Sequence, residues 1–425
     1  NPQNPLWISR PSGAMSLVFR LPLTADQGIS GQLGAMEKGR PAIDVAGRRL
    51  FVGTSDGGLY ALRAGDGSVL WRFQAGSSVQ SEPLYDRVRD RVYFGADDGA
   101  LYAITASEGK LVFRYKAGAE VQRQPLLIER PNGRTLLVFV NAADSVFAID
   151  ADSFATRWKH LRTPALGLEI AGHAGLAAER EWVFAAYSTG KVSAFDVETG
   201  VERWDVDLAA SGNSSGEEQQ YFDADATPVV MDDRVYVASA STGVFALDVT
   251  SGAQVWRRAE VALRSSADPN LQVACEGNDR RCRSAKIDAV SWLSSFSEPA
   301  HIDRQTQTEV PSRSILVASS GTSGLWALDP RTGDVFWRRD APRGAMSQPV
   351  QIAGALLCAS SKLGLFLVEP RLGMIIDGIN PATGFAGSPA VAGRRAFVMT
   401  NRGVLLGLEI EAPWRRFERG YELRP

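Results

Sequence analysis

Hydrophobic and polar positions alternate along this chain in short runs, and the same succession of runs returns many times. Leu59–Leu62 and Val235–Ser239 show the period of a strand that buries one face. Asp56-Gly57 and Asp98-Gly99 follow such strands, and glycine supplies the positive φ that tight hairpins need. The pattern therefore predicts short antiparallel strands joined by tight turns.

One unit of strands recurs about every 40–50 residues, which is the length of a four-stranded propeller blade. We count eight copies: Pro41–Phe73, Glu82–Tyr115, Gln124–Trp158, one that ends in Gly190–Trp204, Thr227–Trp256, one that ends in Gly324–Trp337, Gln348–Ile376 and Ser388–Ile410. A single blade cannot bury both of its faces, so the copies must stack around an axis. The repeats predict an all-β chain, an eight-bladed β-propeller of four-stranded antiparallel blades that forms a single domain over residues 1–425.

The two ends of the repeat array predict how the ring closes. The eighth copy stops at about Ile410, after its third strand, and Ser16–Arg20 resembles the outer strand Val69–Phe73. We therefore expect the N-terminal strand to complete the last blade, which also protects its edge. The charged tail, 412–425, is expected to pack outside the ring.

Two segments interrupt the repeats. A polar stretch at 209–222 follows the fourth copy, and a longer insertion at about 260–295 lies between the fifth and sixth copies. The insertion contains no second copy of the Leu-Tyr-Ala-Leu strand, so it is expected to be a loop rather than a blade. Such long loops on propellers often carry contacts, and a solvated tether is the alternative.

Composition narrows the classes of function. The formal net charge is -2 over 425 residues, which argues against a broad nucleic-acid-binding face. No apolar run reaches the roughly 18 residues of a membrane helix. The chain starts at Asn1, which leaves open a removed leader or a trimmed chain.

The residues that could carry chemistry are few. Cys275 and Cys282 share one polar loop and are a candidate disulfide, with two free thiols as the alternative, whereas Cys358 lies in an apolar strand. The three histidines lie in different units without metal-ligand spacing, and no nucleophile elbow or P-loop occurs. We therefore predict no catalytic residue, no metal and no cofactor. The recurrent tryptophans are expected to pack between blades, with stacking on a planar quinone as the alternative.

The units resemble PQQ-like propeller repeats, and within that class the chain is similar to the BamB family of outer-membrane assembly lipoproteins. The similarity is clearest at Leu166–Gly175 and Phe222–Val230, where the family carries two docking loops. The resemblance places partner-binding residues at Leu166, Leu168, Glu169, Asp223 and Asp225. Glu169 stands where the family has arginine, and the insertion at 260–295 is not typical of the family.

The resemblance implies a non-enzymatic scaffold in the machinery that assembles outer-membrane β-barrel proteins. Its partners would be a BamA-like insertase, bound through a POTRA domain, and other subunits of the machinery, with no nucleic acid. It implies a periplasmic protein, monomeric in isolation, that meets the outer membrane only through a lipid anchor upstream of Asn1.

Each docking feature has an ordinary structural alternative, and two other functions stay open. The leucines could pack between blades, and the aspartates could cap the turn before Thr227-Pro228. A calcium site at the aspartates would need six to eight oxygen ligands. The other functions are a PQQ-dependent dehydrogenase and a ligand- or glycan-binding sensor domain of the cell envelope.

Overall fold

The strands of this protein are arranged in sheets around one axis. The computed structural model describes residues 12–24, 37–162, 174–209, 224, 226–268, 270–275, 279–298, 300–302, 309–340, 344–381 and 383–411. Within these residues, 37 strands form seven four-stranded blades, one seven-stranded sheet and one two-stranded ribbon. Every strand pair is antiparallel, and each blade runs from an inner strand to an outer strand.

The first five blades follow the chain order of their strands. Blade 1 contains β2 (Ala42–Asp44), β3 (Arg49–Gly53), β4 (Gly58–Arg63) and β5 (Val69–Gln74). Blade 2 contains β6 (Leu84–Asp86), β7 (Arg91–Ala96), β8 (Ala100–Thr105) and β9 (Leu111–Lys116). Blade 3 contains β10 (Leu126–Glu129), β11 (Thr135–Val140), β12 (Val146–Asp150) and β13 (Thr156–His160). Blade 4 contains β14 (Leu176–Glu179), β15 (Trp182–Ala186), β16 (Lys191–Asp196) and β17 (Glu202–Asp207). Blade 5 contains β18 (Val229–Met231), β19 (Arg234–Ser239), β20 (Gly243–Asp248) and β21 (Gln254–Arg258).

The seven-stranded sheet, here called the extended sheet, takes the next place in the ring. It contains β22 (Glu260–Ser265), β23 (Leu271–Ala274), β24 (Arg283–Lys286), β25 (Val290–Glu298), β28 (Arg313–Ser320), β29 (Gly324–Leu328) and β30 (Val335–Arg339). The ribbon pairs β26 (His301–Ile302) with β27 (Glu309–Val310). Blade 6 contains β31 (Val350–Ile352), β32 (Ala355–Ala359), β33 (Leu365–Val368) and β34 (Ile375–Ile379). Blade 7 contains β35 (Ala390–Ala392), β36 (Arg395–Met399), β37 (Val404–Ile410) and β1 (Met15–Pro22).

The prediction of eight four-stranded blades is wrong, because the described residues form seven of them. The sixth repeat lies instead in the extended sheet, whose strand order is β24-β22-β23-β30-β29-β28-β25. Its last four members repeat the order of a blade, and the other three extend it beyond the outer strand. The insertion at 260–295 is thus not a loop: it supplies β22, β23 and β24 and the first part of the inner strand β25.

The added strands are built into the core rather than tethered to it. Leu263 and Leu271 are buried in the clusters on either side of the extended sheet. Arg339 is 1% exposed, pairs with Asp268 at 2.8 Å and donates to the carbonyl of Gly373 in the turn of blade 6. A buried guanidinium needs such partners, since an uncompensated buried charge is costly. Cys275 and Cys282, which flank the turn between β23 and β24, form a disulfide.

The ring is closed by the N-terminal strand, as the repeat comparison predicts. β1 pairs antiparallel with β37, from Met15 opposite Ile410 to Pro22 opposite Val404. Eight clusters of buried side chains lie between neighbouring sheets all around the ring, the last between blades 7 and 1. The core is therefore distributed between the sheets.

The recurrent tryptophans pack between blades. Each indole N–H donates to a backbone carbonyl in the last turn of the next sheet, at 2.8–3.1 Å, in five pairs: Trp71 to Ala106, Trp158 to Val197, Trp204 to Val249, Trp256 to Pro330 and Trp337 to Pro370. The ring of Trp158 covers Gly200, where a Cβ would lie 2.5 Å away. Glycine is also needed there because φ is 70°. These contacts account for the tryptophans without a quinone.

The strand order divides the wheel into two ends. The connections from each outer strand to the next inner strand lie at one end, together with the turns between second and third strands; this is called the connection end. The turns between first and second strands and between third and fourth strands lie at the opposite end, called the turn end. β1 begins at the turn end, because it serves as the outer strand of blade 7.

Candidate docking face

The five residues that the resemblance assigns to partner binding lie outside the described residues. Leu166, Leu168 and Glu169 fall within 163–173, and Asp223 and Asp225 flank Ala224, which is described. The structure instead shows where the two segments leave the wheel and return to it. Their bases are the residues on which a docking face would be built.

Both segments belong to the connection end. The first joins β13 of blade 3 to β14 of blade 4, and the second joins β17 of blade 4 to β18 of blade 5. The amide of Gly175, just after the first segment, donates to Oγ1 of Thr227 at 2.8 Å. The amide of Ala224 donates to the carbonyl of Tyr187 at 3.2 Å. The two segments therefore return to the wheel beside each other.

Arg162 fixes the start of the first segment to blade 4. Its Nη2 donates to Oε1 of Glu202 and to Oγ of Ser193, each at 2.8 Å, and lies 3.3 Å from Oδ2 of Asp205. Its Cζ also lies 4.0 Å from the centre of the Tyr187 ring. Two carboxylates and an aromatic face hold the guanidinium, so Arg162 has a fixed position although it lies at the start of a connection between blades.

Tyr187 lies under the same cluster. It is buried, and burial raises the pKa of its phenol well above the usual value of 10.0. The phenol therefore stays neutral and serves as a packing surface. Leu161, which precedes Arg162, is 66% exposed and adds an apolar side chain at the foot of the first segment.

Asp144 ties the middle turns of blades 3 and 4 together at the same end. Its Oδ2 accepts a hydrogen bond from the amide of Ser188 at 3.1 Å and another from its hydroxyl at 2.5 Å. The carboxyl group is buried, and this burial raises its pKa above 3.8. The middle turns of blades 3 and 4, which lie beside the candidate docking face, are thus hydrogen-bonded to each other across the blade boundary.

Sequence reasoning missed Arg162 and Asp144. Asp144 did leave a signal, since it stands where the equivalent turns of blades 1 and 2 have Gly57 and Gly99. All three have positive φ, with 57° at Asp144. A non-glycine residue at that place indicates that its side chain is held by partners. For Arg162, the repeat pattern contains no comparable signal.

The axis of the wheel is occupied by side chains. The guanidinium carbon of Arg123, before blade 3, lies 4.5 Å from the ring centre of Trp292 on β25. Arg40 Nη1 donates to Oε1 of Gln348 at 3.0 Å, and Gln348 Nε2 donates to the carbonyl of Leu293 at 3.3 Å. The Arg123 and Arg40 contacts join sheets that are not neighbours in the ring, whereas the Gln348 contact joins blade 6 to the adjacent extended sheet. A planar cofactor on the axis at this level would have to displace them.

The described part of the chain contains neither a clustered metal site nor a membrane-spanning helix. No group of three or more His, Cys, Asp or Glu side chains there could share a metal ion. No helix in it is long and apolar enough to cross a membrane. The calcium alternative at Asp223 and Asp225 falls outside these residues.

Solved structures of low sequence identity share this fold. The crystal structure of BamB from Moraxella catarrhalis superposes with a TM-score of 0.68 at 17% identity, covering 93% of this chain and 100% of that one. A quinohemoprotein alcohol dehydrogenase from Pseudomonas putida HK5 superposes with a TM-score of 0.62 at 13% identity, covering 94% of this chain and 77% of that one. At such identities the superpositions establish the fold alone.

Sequence comparison distinguishes between these two kinds of protein. An outer membrane protein assembly factor BamB from Legionella pneumophila is 22% identical over 229 residues, which are 54% of this chain and 48% of the relative. The BamB of Shewanella oneidensis is 22% identical over 313 residues, which are 73% and 66% of the two chains. The Legionella alignment thus spans about half of that relative's length.

A family model carries the assignment further. The model described as outer membrane protein assembly factor BamB matches residues 27–89 and 88–273, together more than half of the chain. These residues include blades 1 to 5 and both segments of the candidate docking face. The repeats, the fold and this match lead to one conclusion: the chain belongs to the BamB family of outer membrane protein assembly factors.

Proposed function

We propose that this protein is a non-enzymatic scaffold subunit of the machinery that assembles β-barrel proteins in the outer membrane. In this proposal it works in the periplasm, attached to the outer membrane, and docks a BamA-type insertase through a POTRA domain. The observation that carries the proposal concerns the bases of the two docking segments. These bases are neighbours at the connection end, where a hydrogen bond joins Gly175 after the first segment to Thr227 after the second.

The contacts around the bases fit a docking role. Arg162 and Asp144 hold the adjoining backbone, so a partner would meet segments whose ends are already ordered. Pre-ordering lowers the entropic cost of binding. Leu166 and Leu168 would supply apolar contacts beside the exposed Leu161, and Asp223 and Asp225 would pair with cationic side chains of the partner.

Capture of the partner tests this assignment. The full chain is mixed with immobilised POTRA domains of the BamA-type insertase from the same organism, and the bound fraction is measured. The double variant Asp223→Arg with Asp225→Arg should lose most of its binding. The matched control is Asp232→Arg with Asp233→Arg, which reverses two neighbouring exposed aspartates at the turn end of blade 5. This control should bind as the unchanged chain does.

The outcomes separate the function from the site. If the unchanged chain captures no POTRA domain, the function is wrong. If both double variants bind equally well, the function stands and the docking face is wrong. Photo-crosslinkers placed at Leu166 and Asp225 in cells would identify the captured protein directly.

A dehydrogenase function has no comparable support. The likeness to quinohemoprotein dehydrogenases is a likeness of fold, and Arg123 and Trp292 meet on the axis of this wheel. The indole groups that could have stacked on a quinone donate hydrogen bonds between blades instead.

A further inference from the structure

The exposed aliphatic side chains are unevenly distributed around the wheel. Eight of the thirteen large hydrophobic residues that stand exposed in the described part of the chain lie on three consecutive blades, 7, 1 and 2. They are Leu17, Val18, Val45, Val69, Leu70, Val88, Leu111 and Val112, each between 40% and 79% exposed. This set is called the apolar rim.

The apolar rim recurs at the same place in each of the three blades. Val69-Leu70 and Leu111-Val112 begin β5 and β9, Leu17-Val18 follow the first two residues of β1, and Val45 and Val88 lie in the first turns of blades 1 and 2, so all eight lie near the turn end. The ring of Phe19 on β1 covers Gly67, two residues before Val69. The ring of Trp71 on β5 covers Gly109, two residues before Leu111. Each outer strand is therefore packed on the last turn of the next blade, which fixes the positions of the pairs relative to one another.

Two other blades carry polar residues at the corresponding positions, whereas blade 5 has Gln254 and the exposed Val255 there. The two residues before the outer-strand tryptophan are Thr156 and Arg157 in blade 3, and Glu202 and Arg203 in blade 4. The packing of the blades therefore does not require the exposed pairs. Large contiguous apolar patches on soluble proteins mark sites that contact another protein or a membrane.

Charge at the turn end follows the same asymmetry. The first turns of blades 1 and 2 combine the exposed valines with exposed Arg48 and Arg87. On the far side of the wheel, the first turn of blade 4 contains Arg180, paired with Glu179 of β14, and Glu181, and the first turn of blade 5 contains exposed Asp232 and Asp233, so each of these two places has one net negative charge or more. An anionic surface would attract the apolar rim and repel the opposite side.

We propose that the apolar rim rests on a phospholipid surface that contains anionic lipid. This inference depends on the proposed function, which puts the protein beside the outer membrane. Aliphatic side chains that enter the head-group region, flanked by arginine, are the usual means by which a protein face contacts such a surface. β1, which carries Leu17 and Val18, enters the wheel at the turn end of blade 7, so the chain enters the ring on the side of the apolar rim.

The contact would also orient the wheel. The docking face lies at the connection end, at the opposite end of the strands from the apolar rim. Lipid contact would therefore leave the docking face free and directed into the periplasm. The same protein could touch lipid and partner at once.

Vesicle flotation tests the proposal. The full chain is incubated with vesicles of phosphatidylethanolamine containing one quarter phosphatidylglycerol, and the floated fraction is measured. The rim variant changes Val69, Leu70, Leu111 and Val112 to serine, and its floated fraction should fall about tenfold, since several buried aliphatic groups are lost. The control variant changes four other exposed residues, Val201, Val255, Leu372 and Met374, to serine and should float as the unchanged chain does.

A charge variant tests the anionic part of the proposal. Arg48→Glu with Arg87→Glu should abolish the advantage of vesicles with phosphatidylglycerol over vesicles of phosphatidylcholine alone. Equal thermal unfolding temperatures for the unchanged chain and the variants confirm that each variant is folded.

Three results would overturn the proposal. The first is that the unchanged chain does not float, and the second is that the rim and control variants float equally. The third is that sedimentation shows a dimer of the unchanged chain that only the rim variant dissociates, which assigns the rim to a second copy. POTRA capture is measured on the same proteins. If the unchanged chain captures the POTRA domain but does not float, only the lipid contact is rejected. If the unchanged chain captures no POTRA domain, the proposed function is rejected.

Discussion

Phe154 stacks on Phe113 with ring centroids 4.2 Å apart and an interplanar angle of 10°, at the boundary where other blades place tryptophan over glycine. Phe154 occupies the glycine position and has a φ of 59°. The carbonyl of Ala151, which would accept from an indole, accepts from Arg91 Nη1 at 2.6 Å. One boundary thus replaces the tryptophan–glycine pair with a phenylalanine pair and an arginine.

Replacing Phe154 alone should destabilise this boundary. We expect Phe154→Gly to lower the free energy of unfolding by about 1–3 kcal/mol, because the stacked ring is lost although the backbone strain is relieved. Combining it with Phe113→Trp should recover part of the loss, since it recreates the pair of the other boundaries. Urea unfolding of the two single variants and the double variant measures the coupling. Additive effects would show that the two positions do not interact.

The glycines under the tryptophans should not tolerate a methyl group. Gly200→Ala puts a Cβ 2.5 Å from the Trp158 ring at a φ of 70°, so we expect a loss of about 1–3 kcal/mol in the free energy of unfolding. Gly65→Ala is the matched control, because a Cβ there meets nothing within 4 Å. Its urea midpoint should stay near that of the unchanged chain, and equal midpoints for the two variants would contradict the packing argument.

The three cysteines should be distinguishable by their reaction with a thiol reagent. Cys358 is buried, and burial raises the pKa of its thiol, so the folded chain should show no reactive thiol near neutral pH. After denaturation without reductant one thiol should react, and after reduction three. Three reactive thiols in the denatured, unreduced chain would mean that Cys275 and Cys282 are not bonded.

Asp144 should give the stability of the protein a recognisable pH dependence. Burial raises its pKa above 3.8, so the folded protein binds this proton more tightly than the unfolded chain does. Its contribution to the free energy of unfolding therefore decreases as pH rises through the raised pKa and recovers as pH falls toward the unfolded value. Asp144→Asn keeps an acceptor for Ser188 and tolerates the positive φ, but it does not titrate.

The variant should thus gain stability relative to the unchanged chain at neutral pH and lose that gain near pH 4, as measured by urea midpoints at both values. Glu37 also has a pKa raised by burial, but it is present in both proteins and drops out of the comparison. Asp144→Ala should be less stable by about 1–2 kcal/mol at every pH, because two donors on Ser188 lose their acceptor. A pH-independent difference for Asp144→Asn would contradict the burial argument.

The repeat units could be predicted because each carries its own strand alternation, turn glycine and outer aromatic residue. Closure was predictable for the same reason, since Ser16–Arg20 repeats an outer strand. The extended sheet was not, because β22 to β24 are four to six residues long and bury only Leu263 and Leu271 fully, which leaves little apolar alternation to recognise. β25 reads as Val-Ser-Trp-Leu-Ser-Ser-Phe-Ser-Glu, which lacks the period of the other inner strands.

The docking face could be predicted only as positions along the chain. Leu166 and Asp225 are predicted from the resemblance alone, and the adjacency of their segments depends on Gly175 and Thr227, which are 52 residues apart. Arg162 likewise meets partners 31 to 43 residues away in the next blade. Contacts of this range depend on how blades are stacked, and no local pattern encodes them.

The pairing of β1 with β37 means that the first strand of the described residues cannot pair with its neighbour until the last strand has been made. During synthesis, almost four hundred residues must emerge before Met15 can meet Ile410. Until then β1 and blade 7 each present an unpaired strand edge, which invites aggregation. The ring therefore stays open for most of the time in which the chain is made, and a chaperone that covers the open edges during that time would limit aggregation.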